Sequence, residues 1–294
     1  MATPGEMRGM RRLPGGDFLM GSEDFYPEEG PVIKTSVDGF WIDEHPVTIA
    51  DFRGFVEATG YVTVAERPLD PAEFPDADPA LLVPGSLVFH RTDGPVNLRD
   101  HTNWWRYVPG ASWRNLPADA GDSHPVTHVA YEDALAYARW AGKDLPTEAE
   151  WEFAARGGLD GAVYVWGDQF APEGRMMANT WQGEFPWQNL LQDGYEGTSP
   201  VGTFPPNGYG LYDMAGNVWE WTREVFTPRH EDAPATACCA PSKSLQDDSV
   251  RRTIKGGSHL CAPNYCLRYR PAARQGQDPD SSTGHIGFRC VVRG

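Results

Sequence analysis

Long apolar runs are missing from this chain. No uninterrupted stretch approaches the ~20 residues a membrane-spanning helix needs, and the opening "MATPGEMRGMRRLPGGDFLMGS" lacks the apolar centre of a secretory signal. Cysteine is scarce. Five occur in 294 residues, an odd number, and Cys238 and Cys239 are adjacent, so an obligatory disulfide framework is not expected. These absences predict a soluble, cytoplasmic protein with no membrane association. Positive charge is also short. The 25 Lys+Arg stand against 41 Asp+Glu, a net charge of −16, which argues against nucleic acid as a partner because phosphate backbones need clustered Lys and Arg. The carboxylate excess suits a cationic peptide or divalent cations, and it serves solubility equally well. Internal repeats and low-complexity linkers are lacking, so one domain over residues 1–294 is expected, monomeric by default.

Turn formers and aromatics are plentiful instead: Gly 32, Pro 26, Trp 11, Tyr 11 and Phe 13. Together they predict a core built under long irregular connections, with less regular structure than average. Three segments carry helical signals. "TIADFRGFVEATGY" places Ile49, Phe52, Phe55 and Val56 on one face, with Thr48 as cap and Gly60 as stop. "YEDALAYARWAGK" spaces Leu135, Ala138 and Trp140 helically before Gly142. "LPTEAEWEFAARGG" is the strongest, with a capping box of Thr147 and Glu150 and a stop at Gly157-Gly158. Elsewhere short alternating runs between Gly, Pro and Asn read as strands, and "GGDFLMGS" and "GFRCVV" are expected in a single sheet. The expected class is α+β with low regular secondary structure.

Chemistry concentrates in "GGSHLCAPNYCLRYR", residues 256–270. Cys261-x4-Cys266 is neither the Cys-x2-Cys of thioredoxin-like dithiols nor that of common zinc pairs. Lys255, Arg268 and Arg270 stand close enough in sequence to favour thiolates. Two thiolates in a loop suit a soft, low-coordinate cation such as Cu(I). From the residues alone, a redox dithiol, a metal pair and inert buried cysteines all remain open. Asn179, Asp193, Asp213 and Glu220 offer hard oxygens, with carbonyls of Thr180, Tyr195, Gly216 and Val218 beside them, yet such residues mark turns before they mark ion sites.

Several blocks together resemble the formylglycine-generating enzymes, the sulfatase-modifying factor family: "GGDFLMGS", "FWIDEHPVTIADFRGFV", "HPVTHVAYEDALAYARWAGKDLPTEAEWEFAARGG", "NTWQGEFP", "PPNGYGLYDMAGNVWEWT", "GGSHLCAPNYCLRYRPAAR" and "DPDSSTGHIGFRC". The resemblance spans nearly the whole chain, and its discriminating part is the cysteine pair. It implies a sulfatase-modifying fold with a C-type-lectin-like core. It also implies oxidation of the cysteine in a Cys-X-Pro-X-Arg segment of an unfolded sulfatase to Cα-formylglycine, with O2 as co-substrate and Cu(I) between Cys261 and Cys266. Ser258 and Tyr265 match positions at the family's reaction site. Asn179, Thr180, Asp193 and Tyr195 match one calcium site of the family, and Asp213, Gly216, Val218 and Glu220 match a second. Trp104 or Trp105 is a further candidate, as a surface for the substrate proline, although packing beneath loops is the simpler reading of both.

Departures from the family pattern carry expectations of their own. Ala155 and Pro271 stand where secreted relatives have cysteines, which leaves Cys290 as a free buried thiol in a strand. His285 stands where other members have Asn, and Cys238-Cys239 belong to no recognised motif. Three rivals remain. An iron-dependent sulfoxide synthase would need a His-x3-His-x-Glu helix, which the eight histidines do not form. A calcium-stabilised lectin-like binding module would make the cysteines structural. A copper-free thiol oxidase would act through the same pair.

Overall fold

Two of the helices are built as their capping signals dictate. The computed structural model describes residues 7–69, 71–72, 75–76, 82–115, 120–230 and 250–294, so Cys238 and Cys239 lie outside the described residues. Helix α1 (Ile49–Thr59) opens on a Thr48–Asp51 capping box and closes on Gly60 in the left-handed region, burying Ile49, Phe52, Phe55 and Val56. Helix α3 (Glu148–Arg156) opens on the expected box, with the Thr147 side chain accepting from the Glu150 N–H at 3.0 Å, and closes on Gly157 at φ 59°. Helix α2 (Tyr131–Trp140) differs from expectation. Its inward face is Tyr131, Ala134, Tyr137 and Ala138, while Trp140 is 47% exposed. Ala138 is inward as predicted, but Tyr137, not Leu135 or Trp140, fills the space beside Phe52, Phe55 and Phe288.

The strands are short. They are β1 (Met10–Leu13), β2 (Gly16–Met20), β3 (Ile33–Val37), β4 (Phe40–Asp43), β5 (Gly85–Phe89), β6 (Trp105–Pro109), β7 (Trp219–Val225), β8 (Arg252–Lys255), β9 (Arg274–Gln277), β10 (Ile286–Gly287) and β11 (Val291–Arg293). One sheet runs β1-β4-β11, another β10-β7-β8-β9, and β2-β3 and β5-β6 form two-stranded ribbons. The expectation of "GGDFLMGS" and "GFRCVV" in one sheet is therefore corrected. β11 pairs with β4, and β4 with β1, whereas β2 turns back onto β3. Gly15 makes that turn at φ 74°, where a Cβ would collide with Val37 and Asp38, so the chain leaves the first sheet before β2 begins. The α+β class with limited regular structure stands. No helix among the described residues is long and apolar enough to cross a membrane.

A large apolar core unites the three helices with the two main sheets and includes Cys261, Cys266, Tyr269 and Cys290. Cys290 is buried and free, immediately before β11. A second, smaller core of Trp104, Trp181, Phe185, Leu260 and Ala262 lies beside it. The cysteine loop runs between the two, entered from the end of β8.

Candidate active site: a buried cysteine pair

Two turns bring the cysteines together. Beyond β8 the chain needs left-handed backbone at Gly256 (φ 93°) and Gly257 (φ 69°). A Cβ on Gly257 would lie 2.8 Å from the Arg268 carbonyl, so glycine lets the loop's start pack against its end. The Cys261 N–H donates to Ser258 O at 2.9 Å, and the Cys266 N–H to Ala262 O at 2.8 Å. These turns place the two sulfurs 3.1 Å apart, both buried.

That contact couples the two thiols. A hydrogen bond from the Cys261 thiol lowers the Cys266 pKa, and the adjacent Arg268 guanidinium lowers it further. Burial pushes the Cys261 thiol well above the ordinary range. These opposite shifts bias the shared proton toward Cys261 and make Cys266 the more acidic of the two thiols. Arg270 acts on Cys266 in the same direction, more weakly. Lys255 does not serve the pair, because its ammonium is fully buried against Glu152 at 2.9 Å. Cys266 and Cys261 thus offer a matched soft donor set, closed off from water, which fits a low-coordinate monovalent soft ion.

Tyr265 stacks on Phe185 at 4.5 Å between centroids and meets Trp104 edge-on at 5.3 Å. It is 37% exposed, and burial of its hydroxyl end lifts its pKa to about 12, so it stays a proton donor at neutral pH. Ser258 acts through its backbone: its N–H points to the Cys261 sulfur at 3.4 Å, while its hydroxyl accepts from the Leu260 N–H at 3.2 Å. Trp104 is buried under Tyr265, and Trp105 lies against the His285 ring at 4.7 Å.

Sequence reasoning gave no role to His128 and His259, and left His285 undecided. The Ser86 hydroxyl donates to Ser282 O at 2.6 Å, so the 2.7 Å contact between Ser86 Oγ and His128 Nδ1 has the imidazole as donor. His259 Nδ1 donates to Asn217 O at 2.9 Å. Burial holds His128 and His259 down to about 4 and His285 to about 3. All three are neutral in the fold near pH 6 and charged in the unfolded chain below 6.5, so they withdraw stability as pH falls. Two buried carboxyls act oppositely, Glu224 raised to about 8 and Asp133 to about 6 by burial, and they favour the fold down to their unfolded values. Denaturant midpoints are therefore expected to fall gently between pH 6.5 and 4.5. The compensation from Glu224 ends at its unfolded value of 4.5 and that from Asp133 at 3.8, while the histidine losses end near 4 for His128 and His259 and near 3 for His285, so this contribution is confined to the window between about pH 6.5 and 3. Midpoints that do not change across that window overturn the assignment.

The structure assembles the first set of hard oxygens. The Asp193 carboxylate receives the Thr180 N–H at 2.9 Å and the Tyr195 N–H at 3.0 Å. Thr180 O, Thr180 Oγ1 and Asp193 Oδ2 converge on the Gln182 amide nitrogen. Asn179 Oδ1 is buried without a partner. Asn179 directly precedes Thr180 in the chain, and an orphaned buried amide oxygen there fits a hard cation. The second set touches the first: the Asn217 N–H donates to Asn179 O at 2.8 Å, and a Cβ on Gly216 would run into that carbonyl. Asp213, pushed up by burial, accepts from the Gly202 N–H at 2.8 Å and retains capacity for a cation. Glu220 fits less well, since Arg289 meets both its oxygens at 2.7 Å and Trp151 Nε1 adds a third bond at 2.7 Å.

Sequence reasoning also missed the acidic partners of the cysteine loop. Glu28 pairs with Arg268, and Glu29 with Arg270 through two bonds, at separations of 240 and 241 residues. No local signal announces contacts over such distances.

Comparison with known proteins follows the same outline. Residues 2–294 match the family model "Sulfatase-modifying factor enzyme 1-like domain". A formylglycine-generating enzyme of Mycobacterium tuberculosis is 60% identical over 288 residues, covering 95% of this chain and 96% of that protein. The mouse formylglycine-generating enzyme is 42% identical, covering 95% of this chain and 74% of that protein. A mouse relative named inactive C-alpha-formylglycine-generating enzyme 2 is 40% identical over 298 residues, covering 96% of this chain and 85% of that protein. The solved structure of PvdO from Pseudomonas aeruginosa superposes with a TM-score of 0.70 at 25% identity, covering all of both chains. By sequence and by fold, the chain belongs to the formylglycine-generating, sulfatase-modifying factor family.

Proposed function

We propose that this protein converts the cysteine of a Cys-X-Pro-X-Arg segment in an unfolded sulfatase to Cα-formylglycine, with O2 as oxidant and Cu(I) held by Cys261 and Cys266. The observation that carries the reading is the buried pair of cysteine sulfurs 3.1 Å apart, in a chain 60% identical to a named formylglycine-generating enzyme. A relative of 40% identity bears the name inactive, so the shared fold alone does not bring activity and the pair is the feature to test. Cu(I), when bound, supplies electron transfer to O2 and a coordination position for the substrate sulfur.

The protein's own groups have separable tasks. Cys266 is the more acidic sulfur, and the proton biased toward Cys261 must leave before both sulfurs can serve as ligands. Tyr265 offers a hydroxyl donor at the mouth of the site, its ring fixed by Phe185 and Trp104. The large apolar core, which contains both cysteines, keeps water from the sulfurs. We read the protein as a cytoplasmic monomer, since Cys261, Cys266 and Cys290 are free thiols as a reducing compartment keeps them.

The test is mass spectrometry of a peptide containing Leu-Cys-X-Pro-X-Arg, incubated aerobically with the protein, with and without Cu(I). The expected product carries the mass change from CH2SH to CHO and forms only with Cu(I) and air. Conversion that survives a strong Cu(I) chelator would establish the copper-free oxidase instead. An unchanged peptide in every arm favours a lectin-like binding module with structural cysteines.

Calcium is the second part of the proposal. Asn179, Thr180, Asp193 and Tyr195 hold one ion, and Asp213, Gly216 and Val218, with Glu220 the weakest contributor, hold a second. Both pin loops and do no chemistry. Calcium at 100 times its Kd is expected to stabilise the fold by about 2.7 kcal/mol per site, read as a rise in thermal midpoint. Asn179→Ala with Asp193→Ala should remove the rise for the first site; an unaltered rise in that double variant would exclude it.

A further inference from the structure

The turn that carries Cys261 is tied from two sides to the chain that carries the first set of hard oxygens. Within the turn, residues 258–261, the Cys261 N–H donates to Ser258 O and the Ser258 N–H points to the Cys261 sulfur at 3.4 Å, so the sulfur moves with the turn. On one side, Asn217 O accepts two bonds from His259, its backbone N–H at 3.0 Å and its Nδ1 at 2.9 Å. On the other, Cys261 O accepts the Trp181 N–H at 3.0 Å. Both partners join the hard-oxygen set. Trp181 follows Thr180 directly, and the Asn217 N–H donates to Asn179 O at 2.8 Å. Asn217 has little freedom of its own. It is fully buried, holds φ 60°, and exchanges two side-chain bonds with the Ser199 backbone, at 3.0 and 3.2 Å. The Gly216 N–H adds a third tie, to Gly256 O at 2.9 Å, where the cysteine loop begins.

Of these ties, the His259 imidazole is the one that a side chain makes. Its Nδ1 is the donor, because a carbonyl offers no proton. His259 supplies no atom to the hard-oxygen set, so its bond can be removed without touching that set. A divalent cation on Asn179 Oδ1, Thr180 O and Asp193 would hold residues 179–181 and, through Asn217 and Trp181, the place of the Cys261 turn. Opening the cysteine loop then breaks bonds to a segment that the cation keeps closed, and the two open together. We propose that His259 is a positioning residue that couples the two sites: its bond to Asn217 fixes the Cys261 turn to the loop that a hard divalent cation orders, so that filling the hard-oxygen set holds the sulfur pair in place. The inference rests on the calcium part of the proposed function and deepens it, and it does not require copper. Coupling of this kind is reciprocal, so whatever fixes the sulfurs also tightens the hard cation.

The experiment follows iodoacetamide alkylation of Cys261 and Cys266 in the full-length folded protein, read by peptide mass spectrometry, with calcium or with a calcium chelator. Buried thiols react when their region opens. Calcium at 100 times its Kd suppresses an opening that must release the ion by ~100-fold, and leaves an independent opening unchanged. The wild type is expected to react at least ~10-fold more slowly with calcium. In His259→Phe that ratio should fall toward one, while calcium still raises the thermal midpoint because the hard-oxygen set is intact. His259→Asn, whose amide N–H stands where Nδ1–H stands, should restore most of the ratio. A purely structural histidine makes a different forecast: His259→Phe reacts faster in both conditions and the ratio stays as in the wild type. That outcome overturns the proposal, as does a ratio that falls equally in His259→Asn. Should His259→Phe fail to fold, His259→Gln, whose amide reaches past the Nδ1 position, decides it: a lowered ratio supports the proposal and a wild-type ratio overturns it. A wild type whose thermal midpoint rises with calcium while alkylation is unaffected overturns the coupling and leaves the calcium reading standing. No rise in the wild-type midpoint overturns the calcium reading and this inference with it.

Discussion

Replacing either cysteine by serine is expected to abolish peptide conversion, with losses of at least about 10³-fold, the scale seen when a member of a catalytic unit is removed. Serine keeps the volume and the hydrogen bond, yet its hard, protonated oxygen does not hold a soft monovalent ion. The fold should survive, since a near-isosteric change in a buried pair costs about 1 kcal/mol. The two variants should nevertheless differ. In Cys261→Ser the remaining sulfur is Cys266, which keeps Arg268 beside it and a hydroxyl donor at position 261. In Cys266→Ser the remaining sulfur is Cys261, whose pKa burial holds well above the ordinary range. Alkylation near neutral pH should therefore be faster in Cys261→Ser, by tenfold for each pKa unit between the two sulfurs. Equal rates would show that the proton is not biased toward Cys261. Conversion retained in both variants would move the chemistry away from the pair.

What was legible in the sequence was local. The capping boxes of α1 and α3 and the left-handed glycines that end them are short-range signals, and the fold uses them as read. The cysteine pair stood out because two thiols five positions apart, framed by Gly256-Gly257 and an arginine-rich tail, need no distant partner to be noticed. The inward face of α2 was misjudged because Leu135 and Trp140 look more apolar than Tyr131 and Tyr137. The core nevertheless selects the tyrosines, whose rings meet Trp221 from Tyr131 and Phe52, Phe55 and Phe288 from Tyr137. The sheet pairing of β11 was misassigned because strands carry no register information until β4 supplies an edge. Glu28 and Glu29 were invisible for a plainer reason: in a chain with 41 carboxylates, composition cannot say which two come to rest beside a loop about 240 residues away.

The second large effect is thermodynamic and arises one turn of chain from the site. Glu152, on α3, is fully buried and accepts from Lys255 Nζ at 2.9 Å, from Arg156 Nη2 at 2.7 Å and from the Gly21 N–H at 2.7 Å. Burial alone would raise its carboxyl, but the charges of Lys255 and Arg156 reverse that and hold it below the ordinary range. Glu152→Ala strips Arg156 and the Gly21 N–H of their carboxylate and leaves Lys255 only its longer 3.6 Å pair with Glu148, and is expected to cost about 3–5 kcal/mol. That is a large share of the ~5–15 kcal/mol that holds a typical domain together. Asp17→Asn is the matched control: its pair with Lys34 is more than half exposed on both sides, so solvent screening leaves it little weight in stability. Urea unfolding of the two variants checks the contrast, and a Glu152→Ala loss no greater than that of Asp17→Asn would refute it. The consequence reaches the active site through Lys255, the last residue of β8. The next residue, Gly256, packs so closely on Trp151 that a Cβ would lie 3.0 Å from its ring. The carboxylate that anchors α3 to β8 therefore also fixes where the cysteine loop begins. Folded Glu152→Ala protein should accordingly convert peptide more slowly than the wild type even where both are fully native, whereas Asp17→Asn should match it.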